Sequence, residues 1–167
     1  SNSPDTWTAT YVVDDASDTE GNVTFTIDFT DDAGNAGTQV TSVTDASAVE
    51  IDFVVPTITT VSLSSNNSTD NEHAADGNTV TLTMNFDDDL AAAPTVSMLS
   101  GGVAVSGAVT LTETSNSPDT WTATYVVDDA SDTEGNVTFT IDFTDDAGNA
   151  GTQVTSVTDG SVVEVDF

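Results

Sequence analysis

The chain has 167 residues, 29 of them acidic and none Lys or Arg, for a formal charge of −29. With nothing to neutralise phosphate, nucleic acid is excluded as a partner, and an anionic membrane surface repels the chain. No Cys means no disulfides, and no Lys means no Lys–Asn or Lys–Asp isopeptide cross-links.

The acid is Asp rather than Glu, 23 residues against 6, while Thr, Val, Ile and aromatic residues are plentiful and patterned. A disordered acidic chain lacks that pattern, so this one is expected to fold. Self-repulsion of this size calls for counter-ions that screen or bind it. No apolar stretch approaches the ~20 residues of a membrane helix, so no membrane insertion is expected.

Residues 1–53 come first and return at the end. Residues 1–45 are identical to 115–159, and the match runs on to Phe53 and Phe167 with three changes: Ala46/Gly160, Ala48/Val162 and Ile51/Val165. The offset of 114 residues, Ser1 to Ser115, is that of a whole domain rather than a solenoid turn. Copies this alike point to a tandem array serving reach, spacing or number. Ser115 lies in mid-sequence, so the chain is expected to begin inside a unit of something longer. Residues 1–53 then hold the last three strands of a unit, and the apolar faces of Trp7, Tyr11, Phe25 and Phe29 need a partner. Their first loop carries Asp14, Asp15, Asp18 and Glu20, and the linker 50–56 carries Glu50 and Asp52.

From residue 54 a complete unit is expected, with strands at 58–63, 78–86, 95–99, 103–113 (with a break at Gly107), 120–127, 136–144 and 152–158. A short segment, 162–167, leads out. Residues 78–86 alternate strictly, Val80, Leu82, Met84 and Phe86 against Thr79, Thr81, Thr83 and Asn85. Val137, Phe139, Ile141 and Phe143 make a second such face, and Trp121, Ala123, Tyr125 and Val127 a third. Period-two alternation with β-branched outer residues means half-buried antiparallel strands. Turn clusters fall at 64–78, 100–102, 115–119, 128–135 and 145–151. Seven short strands in about 110 residues suit an immunoglobulin-like antiparallel β-sandwich, its core on Phe86, Trp121, Tyr125, Phe139 and Phe143. Residues 54–114 suit either flanking copy. Pairing with 115–167 keeps the connection short and is the expectation; strand swapping is the alternative.

Alternate loops of such a sandwich go to opposite ends. One end is expected to gather Asp87, Asp88, Asp89, Asp119, Asp145, Asp146 and Asn149, with Glu50 and Asp52 arriving in the linker. The other gathers Asp70, Glu72, Asp76, Asp128, Asp129, Asp132 and Glu134; Asp14, Asp15, Asp18 and Glu20 repeat that loop. In an array the two poles face each other. Ca²⁺ takes six to eight hard oxygens in flexible geometry and is the expected cofactor. The plainer reading of any single Asp is a turn or cap residue. His73, the only histidine, sits in a polar loop with no nucleophile arrangement around it, and enzymatic activity is not expected. Outward Thr rows are what an exposed sheet face prefers.

Residues 139–149, Phe-Thr-Ile-Asp-Phe-Thr-Asp-Asp-Ala-Gly-Asn, follow Trp121-Thr-Ala-Thr-Tyr125 and Asp132-Thr-Glu-Gly135. Together these resemble the bacterial Ig-like tandem repeats of giant secreted adhesins, most closely the extender regions of calcium-dependent RTX adhesins. The resemblance spans the 114-residue unit, and the Asp-x-Ala-Gly-Asn turn is its most specific part. It implies an extracellular, cell-surface protein of biofilm-forming bacteria whose repeats project a binding head, stiffened by Ca²⁺. The glycine-rich nonapeptides of RTX proteins are missing. Two functions stay open: a spacer, partnered by neighbouring repeats of its own chain, or a subunit that assembles laterally into a filament, matrix fibre or S-layer.

Overall fold

The computed structural model describes residues 6–116 and 118–167. The chain divides into two compact units, Ser1–Phe53 and Val54–Phe167. All regular structure among the described residues is β, with no helix.

In the first unit, β1 (Gly21–Asn22) pairs antiparallel with β2 (Glu50–Ile51), Gly21 opposite Ile51. Single bridges join Ile27 to Val40 and Thr30 to Ala36. Residues 6–13 belong to no strand.

The second unit contains β3 (Ile58–Ser65), β4 (His73–Ala74), β5 (Thr79–Phe86), β6 (Thr95–Ser100), β7 (Val103–Ala104), β8 (Thr110–Asn116), β9 (Asp119–Val126), β10 (Gly135–Asp142) and β11 (Glu164–Val165). One sheet has the order β3-β5-β9-β8, antiparallel throughout. The other has the order β4-β11-β10-β6-β7, parallel only between β4 and β11. Both sheets give alternate side chains to one core, a sandwich-like arrangement. Val61 and Leu63 of β3, Val80 to Phe86 of β5, and Ala123 and Tyr125 of β9 meet Met98 of β6 and Val137, Phe139 and Ile141 of β10. Each fully buried Val, Leu, Ile, Phe or Met contributes roughly 1.5–3 kcal/mol of transfer free energy. Phe86 and Phe143 pack edge to face at 5.0 Å. Trp121 is only half-buried and packs on the edge of this core.

Two elements depart from expectation, and a third, broken where a break was expected, divides between the sheets. Residues 152–158 form no continuous strand: Val154 bridges Ile141, and the chain then crosses to β3. There the Thr158 amide donates to the Val61 carbonyl at 2.9 Å, while Thr158 Oγ1 and Ser161 Oγ accept the Val61 and Leu63 amides at 2.9 and 2.8 Å. Side-chain oxygens thus capture a segment that was expected to form a strand of its own. The ladder resumes only at β11. Residues 103–113 break, as expected, around Gly107 into β7 and β8, and the two halves join different sheets. Between them the Ser106 amide donates to Asp132 Oδ1 at 2.7 Å, turning the chain from one layer to the other. The turn cluster 64–78 contains β4, made by pairing with β11.

The two copies give the same sequence two environments. Tyr11 is 66% exposed and Tyr125 1%; Ile27 is 51% and Ile141 0%; Val49 is 64% and Val163 0%. Local turns nevertheless persist in both. The Asp31 carboxylate accepts the Asn35 amide and side-chain N–H at 2.8 Å each; Asp145 does the same for Asn149 at 2.8 and 2.9 Å. Gly34 and Gly148 hold φ of 88° and 95° in these turns, the left-handed region that glycine enters without strain.

Candidate metal centre

One group of acids sits where β5 ends and the turn after β10 begins. Asp87 closes against the start of β3, accepting the Thr57 hydroxyl at 2.7 Å and the Thr57 amide at 2.6 Å, and these bonds, the hydroxyl's first, hold its carboxyl below the usual Asp range. Asp88 and Asp145 bring carboxylate oxygens within 4.8 Å of each other. Leu90 bridges Asp145 and donates its amide to Asp119 Oδ2 at 2.9 Å. Trp121 Nε1 donates to the same oxygen at 3.4 Å. Asp119 and Asp145 are 5% and 1% exposed. Two buried carboxylates in a chain without Lys or Arg have amide donors for company and no cationic side chain. A buried charge is stable only when paired, hydrogen-bonded or bound to metal. Asp89 is half-buried beside them, and Asp146 points outward from the turn.

A second group lies at the opposite ends of β5 and β9. Asp76, in the turn before β5, and Asp128 and Asp129, in the loop after β9, offer one oxygen each within 4.8 Å of one another. Backbone bonds fix this geometry. The Gly77 amide donates to the Val127 carbonyl and the Val127 amide to the Asn78 carbonyl, both at 2.9 Å. The Asp129 amide donates to Asp76 Oδ1 at 3.2 Å. The Asp128 carbonyl accepts Ser131 and Asp132, and Asp132 Oδ2 accepts the Asp128 amide at 3.0 Å, closing the loop on itself. Each pair of like charges at such separations costs about 1 kcal/mol in water and more where solvent is thinner. This group could hold a metal ion, and an all-oxygen donor set suits a hard cation rather than a thiophilic one.

Other candidate residues take other roles. Glu134 Oε1 accepts the Phe167 amide at 3.0 Å, and Asp132 is spent on its own loop and on Ser106. In the first unit, Asp14 and Asp18 build the same closed loop, with the Tyr11 hydroxyl also donating to Asp18. Asp15 and Glu20 are exposed, as is Glu50 in β2; Asp52 is half-buried. Asp76 was counted among the acids of its pole but not among the candidate ligands. Its signal was the Asp76-Gly77 turn, where Gly77 has φ of 75°, and the Asp129 amide bond places the carboxylate against the neighbouring loop. His73 Nδ1 lies 3.0 Å from Asp70 Oδ2, and its Nε2 3.9 Å from Glu164, where β4 meets β11. The Glu72 amide and then His73 hold the Asp70 carboxyl below its usual range.

No protein-family model, no curated protein and no solved structure matches the chain.

Proposed function

We propose that this chain is a spacer repeat of a large secreted, cell-surface adhesin, an Ig-like sandwich held together by Ca²⁺. The observation that carries the reading is the recurrence of residues 1–45, unchanged, at 115–159. A catalytic site gains little from being copied in series, whereas length and reach grow with every copy. The sheet orders support the Ig-like reading: β3-β5-β9-β8 follows the A-B-E-D order of that fold, and β11-β10-β6 its G-F-C order.

Calcium rests on the acid groups. Asp76, Asp128 and Asp129 are ligands in this reading, as are Asp88 and Asp145, with Asp87, Asp89, Asp146 and Asn149 around them. Ca²⁺ accepts such mixed carboxylate, amide and carbonyl oxygens. Glu50 and Asp52 enter by their place in the linker sequence, where a shared ion removes hinge freedom. The test is small-angle scattering from two complete units in series, with Ca²⁺ and with EDTA. Extension in Ca²⁺ and a shorter maximum dimension in EDTA and in Asp52→Ala are expected. An unchanged dimension in EDTA removes the stiffening role, and concentration-dependent polymer in Ca²⁺ replaces the spacer with an assembling subunit.

A further inference from the structure

We infer that residues 1–53 are an acceptor for one further copy of the sequence 54–114, which closes over them as residues 54–114 close over 115–167. The inference rests on the tandem-repeat reading but needs neither calcium nor stiffening.

The acceptor is defined side chain by side chain. Trp7, Tyr11, Ile27, Phe29 and Val49 are exposed, while their copies in the second unit pack against Val61, Leu63, Val80, Leu82, Met84 and Phe86. A cleft of ≈ 710 Å³, lined by Tyr11, Val23, Phe25, Ile27 and Ile51, opens in the first unit. Its polar groups are equally specific. Residues 121–124 are laddered on both sides, to β5 and to β8, and 125–126 to β5, whereas residues 7–12, identical in sequence to 121–126, belong to no strand. Thr158 and Ser161 accept the Val61 and Leu63 amides; Thr44 and Ser47 carry the same hydroxyls at the equivalent positions. In the complete unit the Ser106 amide takes Asp132 Oδ1, and the Tyr125 hydroxyl is buried, with Ser100 rather than Asp132 beside it for hydrogen bonding. In the open unit the Tyr11 hydroxyl occupies that carboxylate's copy, Asp18, which the incoming serine amide reclaims.

Charge and stoichiometry select this occupant. Residues 54–114 carry 7 of the 29 acids, and 90–112 carry none, so the donor is the least repulsive part of the chain. A second copy of residues 1–53 instead brings 11 carboxylates against 11. Exchange of 54–114 between molecules closes nothing, since each chain has one donor sequence and two acceptors. The donor enters from the N-terminal side, because Asn116 and Asp119 form the hairpin between β8 and β9, and residues 1–5 repeat 115–119.

The experiment adds a copy of residues 54–114 ahead of Ser1 in the full chain, with Trp121→Phe so that Trp7 is the sole indole. Acrylamide quenching and amide exchange are compared with the Trp121→Phe chain lacking the addition. The added copy is expected to shift Trp7 emission to the blue and to slow exchange at residues 7–13 by at least about tenfold. Leu82→Asp in the added copy alone is expected to abolish both effects while the 54–167 unit stays folded. Equal quenching of Trp7 with and without the addition overturns the inference, as does protection that survives Leu82→Asp. Protection that grows with concentration in the unextended chain, with a dimeric mass, also overturns it and makes the face a contact between copies.

Discussion

At the scale of single residues, the clearest commitments are glycines beside rings and one buried phenol. A Cβ on Gly151 meets Phe143 Cε2 at 2.1 Å, and one on Gly37 meets Phe29 at the same distance. Phe143 is locked in the core against Phe86, but Phe29 is half-exposed and free to swing. Gly151→Ala is therefore expected to destabilise the second unit by about 1–3 kcal/mol in urea unfolding, and Gly37→Ala to leave it unchanged. Tyr125 has its pKa pushed up to about 12, first by burial and then by the negative Asp132. Its unfolded value is 10.0, so the folded state keeps the phenol's full contribution below pH 10 and loses it as pH rises toward 12. Absorbance titration is expected to ionise Tyr11 first, with Tyr125 following only near pH 12 or on unfolding. Simultaneous ionisation of both in folded protein contradicts that burial.

At the scale of elements, alternation made the sheets legible. Val80-x-Leu82-x-Met84-x-Phe86 in β5 and Val137-x-Phe139-x-Ile141 in β10 mark their buried faces by period alone. The segment 152–161 was not legible, because what holds it is not periodicity but two hydroxyls reaching across to β3. Ser161→Ala is expected to cost about 1 kcal/mol in unfolding free energy by orphaning the Leu63 amide, with Thr158→Val similar. The acids were legible as two poles but not as partners: sequence cannot say that Asp145 turns inward to 1% exposure while Asp146 turns out. For the loop group, Asp76→Asn is expected to change sign with conditions. Without divalent metal it relieves repulsion and raises stability by up to about 1 kcal/mol; with Ca²⁺ it removes a ligand and lowers the midpoint. The same sign in both conditions means that Asp76 binds no ion.

At the scale of the whole molecule, a charge of −29 with no Lys or Arg and a single His leaves cations from solution as the main compensation. Depressed carboxyls such as Asp87 and Asp70 contribute stability above the ordinary Asp range and lose it as acid protonates them in the fold. Monovalent salt screens the charge without coordinating it and is expected to recover only part of what calcium supplies. The most direct measurement is thermal unfolding of the chain in EDTA and in millimolar Ca²⁺ at matched ionic strength. An ion bound only by the folded state stabilises by roughly 2.7 kcal/mol per site at a hundredfold excess over Kd. At a few degrees per kcal/mol, the account predicts a midpoint roughly ten degrees higher in Ca²⁺. Superimposable curves would contradict it.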